Sequence, residues 1–316
     1  MMRTDLKSAA RLLLERDDIV ILTHQNPDGD TLGCAYALYY TLTAHGKRVR
    51  VENEKAIPKK YSFMYENYTH TDFEPKCVVA VDIASTSLFG NGMDRYIGKV
   101  DLCIDHHKSN TDYADNTLLN CSVAAACEIV YDIILEMDGD ISNDALLCVY
   151  TGVSTDCGCF KYSNTTAKAH DIAALAIERH IDVYKINQAM FESKSRAQLD
   201  IERIALQNLE FYHSGRCAAI VVTHELLKRT GAEESDLDAL PAMTRQIQGV
   251  EVGVVVKERE KGEFKVSMRT GKHPDASAIC AEFGGGGHAG AAGCTIYGER
   301  AEDVLSKVIE TVGRYI

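Results

Sequence analysis

The sequence predicts an α/β protein, with a doubly wound, mostly parallel sheet in the N-terminal domain and a smaller α/β domain after it. Three features support this prediction. Short apolar runs alternate with helical periodicity in the first half, acids and histidines follow three of these runs, and a second series of strands begins after residue 213. Alternating strands and helices are typical of parallel sheets. Such sheets bind ligands beyond the carboxyl ends of their strands, so we expect a ligand site there.

The first half of the chain supplies the elements of the larger domain, which we place at residues 1–190. Its strands are short β-branched runs, and its helices repeat apolar residues every three to four positions. The predicted order is a helix at about 4–16, a strand at 19–22, a helix at 31–45, strands at 48–51, 77–82 and 101–105, and helices near 122–137, 143–154 and 165–179. Several strand ends should therefore meet at one edge of the sheet.

The second half has strands and helices of its own. We predict a helical linker at 191–213, containing the stretch LDIERIALQNLEFYH, and a second domain at 214–316. The predicted elements of that domain are strands near 217–223, 250–257 and 263–269, the helix DASAICAEF, and a closing helix from about residue 301.

Composition and charge exclude several classes of protein. No apolar run approaches the roughly 20 residues of a membrane span, and the amphipathic, acid-containing start does not resemble a signal peptide. We therefore expect a cytoplasmic protein that does not bind membranes. The 11 cysteines should be mostly reduced, and the C-x-C of Cys157 and Cys159 lacks a second pair at zinc-site spacing. A net charge of −12 argues against long nucleic acid as a partner.

Acids and histidines concentrate in four short motifs: HQNPDGD, VAVDIAS, IDHHKSN and GVSTDCGCF. The first three follow apolar runs that we predict to be strands. The residues concerned are His24, Asp28, Asp30, Asp82, Asp105, His106, His107 and Asp156.

Each motif also has an ordinary structural alternative. His24 and its acids fit a polar turn, Asp82 and Asp105 fit helix N-caps, and Asp156 fits the cap of a turn. These alternatives require four independent coincidences, whereas one dinuclear metal centre explains all four motifs. Carboxylates with imidazoles suit Mn²⁺ or a similar divalent ion. A central carboxylate such as Asp82 can bridge two ions about 3.5–4 Å apart.

In order and spacing, the four motifs resemble those of the DHH phosphoesterases, and the resemblance covers essentially the whole chain. It implies two divalent metal ions, with Mn²⁺ preferred and Mg²⁺ or Co²⁺ as alternatives. The implied ligands are His24 and Asp28 for one ion, Asp30, His106 and Asp156 for the other, and Asp82 bridging both. It also implies that His107 faces the substrate phosphate and that Asp105 orients a neighbouring histidine. Asp82, Asp105, His106 and His107 would then form the catalytic set.

The C-terminal motif FGGGGHAGAAG formally matches a dinucleotide-binding fingerprint, but it follows a predicted helix and lacks the βαβ context. A flexible glycine loop is the plain alternative. Glycines also let backbone N–H groups approach a phosphate. We therefore predict substrate binding by Gly285, Gly286, Gly287 and His288, together with Arg269 from VSMRTG. Lys194 or Arg196 could extend this site, although a solvated linker explains them equally well.

This motif resembles the DHH-associated C-terminal domain and points to the nanoRNase/pAp-phosphatase branch of the family. The resemblance implies an active site in the interdomain cleft. It also implies hydrolysis of short RNA oligonucleotides to mononucleotides and of 3′-phosphoadenosine 5′-phosphate (pAp) to AMP. The alternatives are a phosphodiesterase for cyclic or linear signalling dinucleotides and a non-catalytic nucleotide or RNA sensor. A homodimer is left open.

Overall fold

The N-terminal unit, Met1–Ser193, contains a sheet of six parallel strands. The structure is a computed structural model that describes residues 2–260, 262–271 and 273–316. The strands are β1 (Met2–Arg3), β2 (Ile19–Leu22), β3 (Val49–Glu52), β4 (Cys77–Val81), β5 (Leu102–Asp105) and β6 (Asn116–Leu119). Their order is β1-β6-β5-β4-β2-β3. The chain therefore changes direction across the sheet between β2 and β4, which is where open α/β sheets bind their ligands.

Both faces of this sheet are covered. Ile19 and Ile21 of β2 point into one core, while Val20 and Leu22 point into the other, because successive side chains of a strand alternate between faces. The helices of the unit are α1 (Leu6–Glu15), α2 (Gly29–Ala44), α3 (Ala126–Asp138), α4 (Asn143–Asp156), α5 (Ala167–Glu178) and α6 (Val183–Asn187). They pack on the first face, and 3₁₀ segments that include Asn91–Tyr96 cover the second. The α/β class predicted from the sequence is confirmed.

The C-terminal unit, Lys194–Ile316, has a mixed sheet. Its strands are β7 (Glu210–Tyr212), β8 (Cys217–Val222), β9 (Val252–Glu260), β10 (Glu263–Thr270), β11 (Gly286–His288) and β12 (Ala291–Tyr297). The order is β11-β12-β10-β9-β8-β7, and the parallel pair is β8 with β9. Its helices are α7 (Arg196–Gln207), α8 (His224–Thr230), α9 (Leu240–Arg245), α10 (Ala276–Ala281) and α11 (Ala301–Val312). Helices α10 and α11 cover one face, and α7, α8 and α9 cover β8 and β9 on the other.

Strands β1, β6 and β12 were not predicted from the sequence, and two segments that were considered have a different structure. The helix predicted at 199–213 ends at Gln207, and residues Glu210–Tyr212 instead pair with β8 at the edge of the sheet. The predicted glycine loop is partly a strand, because Gly286–His288 pair with Ala291–Gly293. Both errors have the same cause: pairing with a distant strand overrides local propensity. Among the described residues, no helix is long and apolar enough to cross a membrane.

Candidate metal centre

The four motifs converge at the carboxyl edge of the N-terminal sheet. His24 follows β2, Asp82 follows β4, and His106 follows β5. Asp28 caps the N-terminus of α2, and Asp156 ends α4. The structure thus brings together side chains that lie up to 132 positions apart in the sequence (156 − 24).

The candidate ligands form two groups, His24 with Asp28 and Asp82, and Asp30 with His106 and Asp156, and Asp82 also lies beside His106 of the second group. In the first, His24 Nε2 lies 3.5 Å from Asp28 Oδ1 and 3.9 Å from Asp82 Oδ2. In the second, His106 Nε2 lies 3.8 Å from Asp30 Oδ2 and 3.5 Å from Asp156 Oδ2. His106 Nε2 is also 3.5 Å from Asp82 Oδ1, so the two oxygens of Asp82 face different histidines. These distances exceed those of ordinary hydrogen bonds, as expected for atoms arranged around a cation.

Asp82 is buried without the contacts that a carboxylate needs. Its side chain is 4% exposed, and Oδ1 has no hydrogen-bond partner among the described residues. Burial, followed by the charges of Asp30, Asp28 and Asp156, raises the pKa of Asp82 well above its usual value. Its φ of +57° lies in the left-handed region, which is uncommon outside glycine and is often found at functional sites. A buried, uncompensated carboxylate is costly, so this residue fits a site for cations.

Asp156 is likewise a carboxylate surrounded by other carboxylates. Burial, followed by the charges of Asp30 and Asp28, raises the pKa of Asp156 well above its usual value. The residue lies in the last turn of α4, so it does not have the turn-capping role that was its structural alternative. Mutually repelling carboxylates at this spacing are relieved by positive charge between them.

Asp30 is held by the N-terminus of another helix. Its Oδ2 accepts a 2.7 Å hydrogen bond from the N–H of Ala126, and its Oδ1 accepts one of 2.9 Å from Cys127. These N–H groups belong to the first turn of α3, whose N-cap residue Ala125 has no side chain able to cap it. Asp30 therefore caps α3 from outside, which fixes its carboxylate beside His106.

Asp28 is both a helix cap and a candidate metal ligand. Its Oδ1 accepts hydrogen bonds from the N–H groups of Asp30 (3.1 Å) and Thr31 (3.2 Å), so it is the N-cap of α2. Burial opposes ionisation of Asp28, but His24 and these N–H groups outweigh it and lower its pKa to about 2. The cap therefore keeps a charged carboxylate beside His24.

Asp105 orients His107. Its fully buried Oδ1 lies 2.8 Å from His107 Nδ1 and also accepts the N–H groups of His106 and His107. Its other oxygen accepts a 2.6 Å hydrogen bond from Asn110 Nδ2. Burial lowers the pKa of His107, but the hydrogen bond and charge of Asp105 outweigh it and raise that pKa. Asn110 was missed in the sequence, although it lies in the same motif, IDHHKSN.

Thr31 is a second residue that sequence reasoning missed. It is fully buried, and its hydroxyl donates a 2.9 Å hydrogen bond to the carbonyl of Val81, the residue before Asp82. Thr31 Oγ1 also accepts the N–H of His24 at 3.4 Å. One hydroxyl thus links the backbones that carry His24 and Asp82, the residues that would hold the first ion together with Asp28.

We expect Thr31→Val to weaken Mn²⁺ binding about 10- to 100-fold, the usual effect of removing a hydrogen bond that orients a metal ligand. Calorimetric titration with Mn²⁺ measures this directly, and Thr31→Ser should restore most of the affinity. The matched control is Thr41→Val, because the buried Thr41 hydroxyl on the same helix bonds, among the described residues, only to the carbonyl of Ala37. Equal Mn²⁺ affinity of Thr31→Val and the control would contradict the linking role.

Two thiols also lie beside Asp30. Cys34 Sγ is 3.5 Å from Cys127 Sγ, and both side chains are fully buried. Burial raises the pKa of Cys34 to about 12 and raises that of Cys127 well above its usual value. Thiolates are the form that binds metals, so these cysteines serve as packing groups.

Two of the C-terminal residues predicted to bind substrate, Arg269 and His288, lie on one face of the second sheet. Arg269 of β10 and His288 of β11 are both directly opposite Ala291 of β12, the strand between them. Residues opposite one another in antiparallel strands project from the same face, so a methyl group separates the two polar side chains. Gly285 and Gly287 must be glycine here: an added Cβ would lie 2.3 Å from the carbonyl of Gly293 and 2.6 Å from that of Ala291, respectively.

The linker residues are less suited to bind phosphate. Lys194 Nζ lies 2.6 Å from Glu202 Oε2 within the C-terminal unit, so its charge is already paired. Arg196 begins α7. This arrangement favours the structural interpretation of the segment.

Family models match both parts of the chain: "DHH family, N-terminal domain" at residues 18–153 and "DHHA1 domain" at residues 217–314. The chain belongs to the DHH family. The resemblance inferred from the four motifs is therefore confirmed. The DHH match contains all the candidate ligands except Asp156, and the DHHA1 match contains Arg269 and His288.

This DHH protein is similar to curated relatives along most of its length. It is 29% identical to the bifunctional oligoribonuclease and PAP phosphatase NrnA of Thermus thermophilus, over 93% of this chain and 89% of the relative. It is 26% identical to the probable enzyme of that name from Streptococcus mutans, over 93% and 94%. Among solved structures, an exopolyphosphatase-related protein from Bacteroides fragilis superposes with a TM-score of 0.84 at 26% identity, covering 96% of this chain and 95% of that one.

Proposed function

We propose that this protein hydrolyses short oligoribonucleotides to mononucleotides, and pAp to AMP, with two divalent metal ions. The observation that carries the proposal is Asp82, a buried carboxylate whose two oxygens face two separate histidine-carboxylate groups. This arrangement suits a bridging ligand in a two-ion phosphoesterase. The names of the Thermus and Streptococcus relatives support the same substrates.

The metal ions would be held by His24, Asp28 and Asp82 on one side and by Asp30, His106, Asp156 and Asp82 on the other. When bound, they supply an activated water and neutralise charge on the phosphate. Nitrogen and carboxylate oxygen donors suit Mn²⁺, and they also accept Mg²⁺ or Co²⁺.

The protein's own groups then position the substrate. His107, kept in one orientation by Asp105, offers a proton on its far nitrogen to a phosphate oxygen. Its raised pKa increases the share of the doubly protonated ring, which carries positive charge. Arg269 and His288 bind the nucleotide, and the glycines at 285 and 287 let backbone come close to it. We propose domain limits of 1–190, 191–213 and 214–316.

A substrate panel tests the proposal. The purified protein with Mn²⁺ is offered pAp, a diribonucleotide, cyclic dinucleotides and pyrophosphate at equal concentrations. We expect the diribonucleotide and pAp to be hydrolysed fastest. A preference for cyclic dinucleotides would assign the protein to signalling instead, and metal-independent binding without hydrolysis would assign it to sensing.

We expect kcat/KM to fall with RNA length beyond about two to five nucleotides. Long strands gain affinity from successive basic contacts, and this chain has 34 basic against 46 acidic residues. It also has no tryptophan for an extended stacking platform. The measurement compares a 2-mer to a 24-mer at fixed salt, and a value that stays flat or rises with length would indicate an exonuclease that acts on long strands.

We further propose a cytoplasmic location and leave a homodimer as a hypothesis. Size-exclusion chromatography with light scattering measures the oligomeric state directly.

A further inference from the structure

A cluster of cations lies on the Arg269 face of the C-terminal sheet. Lys265 of β10 is directly opposite Lys257 of β9, and Arg259 follows at the irregular end of this strand pair. Like charges directly opposite one another destabilise an antiparallel pair. The cluster lies about 14 Å along β10 from Arg269, at about 3.4 Å per residue.

Among the described residues, Lys257 and Arg259 of this cluster form ion pairs with an acid, whereas Lys265 does not. Glu234 Oε1 lies 2.6 Å from Lys257 Nζ and 3.5 Å from Arg259 Nη2, so two cations share it. Asp238 is a second acid near Lys265, and Glu263 lies two residues before Lys265 on the same face of β10. Within the part of the chain that the structure describes, Lys265 makes no ion pair within 4 Å. Burial, followed by the charges of Arg259 and Lys257, lowers the pKa of Lys265.

Small residues lie between the cluster and Arg269. The residues on this face of β10, β12 and β11 are Ser267, Thr295, Gly293, Ala291 and Gly286, as the strand register requires. Thr295 and Gly286 are exposed. Helices α10 and α11 pack on the opposite face, while α7, α8 and α9 cover β8 and β9 on this one. Arg269 and His288 thus lie at one end of this face of β10, and the cation cluster lies at the other.

We propose that Lys265, with Lys257 and Arg259, forms a second phosphate site that binds a phosphodiester of an oligoribonucleotide whose terminal nucleotide lies at Arg269 and His288. This rests on the proposed function. A phosphodiester oxygen accepts hydrogen bonds from both ammonium and guanidinium groups, and its negative charge would relieve the repulsion between Lys265, Lys257 and Arg259. pAp is a single nucleotide and is too short to reach both ends. The site would therefore favour RNA of several nucleotides over pAp.

The test measures binding by the full-length protein in EDTA, so that no RNA is cut. A fluorescein-labelled ribopentamer is titrated by anisotropy and pAp by calorimetry. We expect Lys265→Gln to weaken pentamer binding about 5- to 10-fold and to leave pAp binding unchanged. The slope of log K against log salt should also decrease by about 0.7, the value for one lost phosphate contact on a single strand.

Lys307→Gln is the matched control, because this exposed lysine lies on α11, which packs on the other face of the sheet. Lys265→Gln should unfold at or above the wild-type temperature, because it removes one member of a repelling pair. Lys307→Gln changes an exposed side chain and should unfold at about the wild-type temperature. The proposal is overturned if Lys265→Gln binds the pentamer as tightly as the wild type does, or if this variant loses as much affinity for pAp as for the pentamer. It is also overturned if Lys307→Gln weakens pentamer binding as much as Lys265→Gln does, or if the wild type does not bind the pentamer. The protein could also hydrolyse neither substrate while Lys265→Gln still weakens binding of the pentamer and not of pAp. That result would refute the proposed function but would support the second phosphate site.

Discussion

Asp82→Asn is expected to lower kcat by more than about 100-fold in excess Mn²⁺, because loss of even a residue that supports a metal ligand costs about 10- to 100-fold. Asp82 is the one candidate ligand whose oxygens face both His24 and His106. Asparagine keeps the shape but supplies neither the charge nor two equivalent oxygens. It also tolerates the left-handed backbone that Asp82 adopts. Initial rates on a diribonucleotide across a Mn²⁺ series measure the effect.

A thermal melt separates loss of metal from loss of fold. Burial and neighbouring carboxylates disfavour the charge of Asp82, so the metal-free variant should unfold at or above the wild-type temperature. The increase in unfolding temperature that Mn²⁺ causes in the wild type should be reduced or lost. Asp115→Asn, an exposed position before β6, is the control. Retention of more than about a tenth of the wild-type rate by Asp82→Asn would rule out the bridging role.

Arg269→Ala and His288→Ala are each expected to lower kcat/KM for pAp and a diribonucleotide about 10- to 100-fold, the range for a hydrogen bond to a charged group. The same variants should change kcat/KM for a generic aryl phosphodiester little. These side chains lie on the second sheet, so they would act by holding the part of the substrate remote from the reacting phosphate. Binding energy of that kind improves positioning at the reacting centre.

The comparison between substrates distinguishes binding from chemistry. Arg229→Ala removes an exposed arginine of α8 in the same unit and serves as the charge control. Equal losses on the nucleotides and on the aryl ester would place Arg269 and His288 in the chemical step or in folding. If both variants hydrolyse all substrates at the wild-type rate, Arg269 and His288 do not contribute to substrate binding.

The sequence was sufficient to predict the class of fold and the residues at the edge of the first sheet. A parallel sheet buried on both faces needs continuous apolar strands, such as Ile19–Leu22 and Cys77–Val81, and these are visible in any short window. Because parallel strands end at the same edge, His24, Asp82 and His106 had to lie near one another once the strands were recognised.

Contacts between distant segments could not be predicted in this way. The capping of α3 by Asp30 depends on how two helices pack, and the link from Thr31 to Val81 joins a helix to a strand. Neither leaves a pattern in neighbouring residues. The short strands β1 and β6 were missed for the same reason, since pairing with β5 and with each other, and not propensity, makes them strands.

The sequence by itself therefore determined which residues end each buried strand, because the apolar periodicity of a strand is local. Only the tertiary structure decided how those residues are grouped, with Asp82 shared between His24 and His106. In the second sheet it decided the register that aligns Arg269, Ala291 and His288 and sets Lys265 against Lys257. Register depends on hydrogen bonds between strands far apart in the chain, and a shift of one residue would move each side chain to the opposite face.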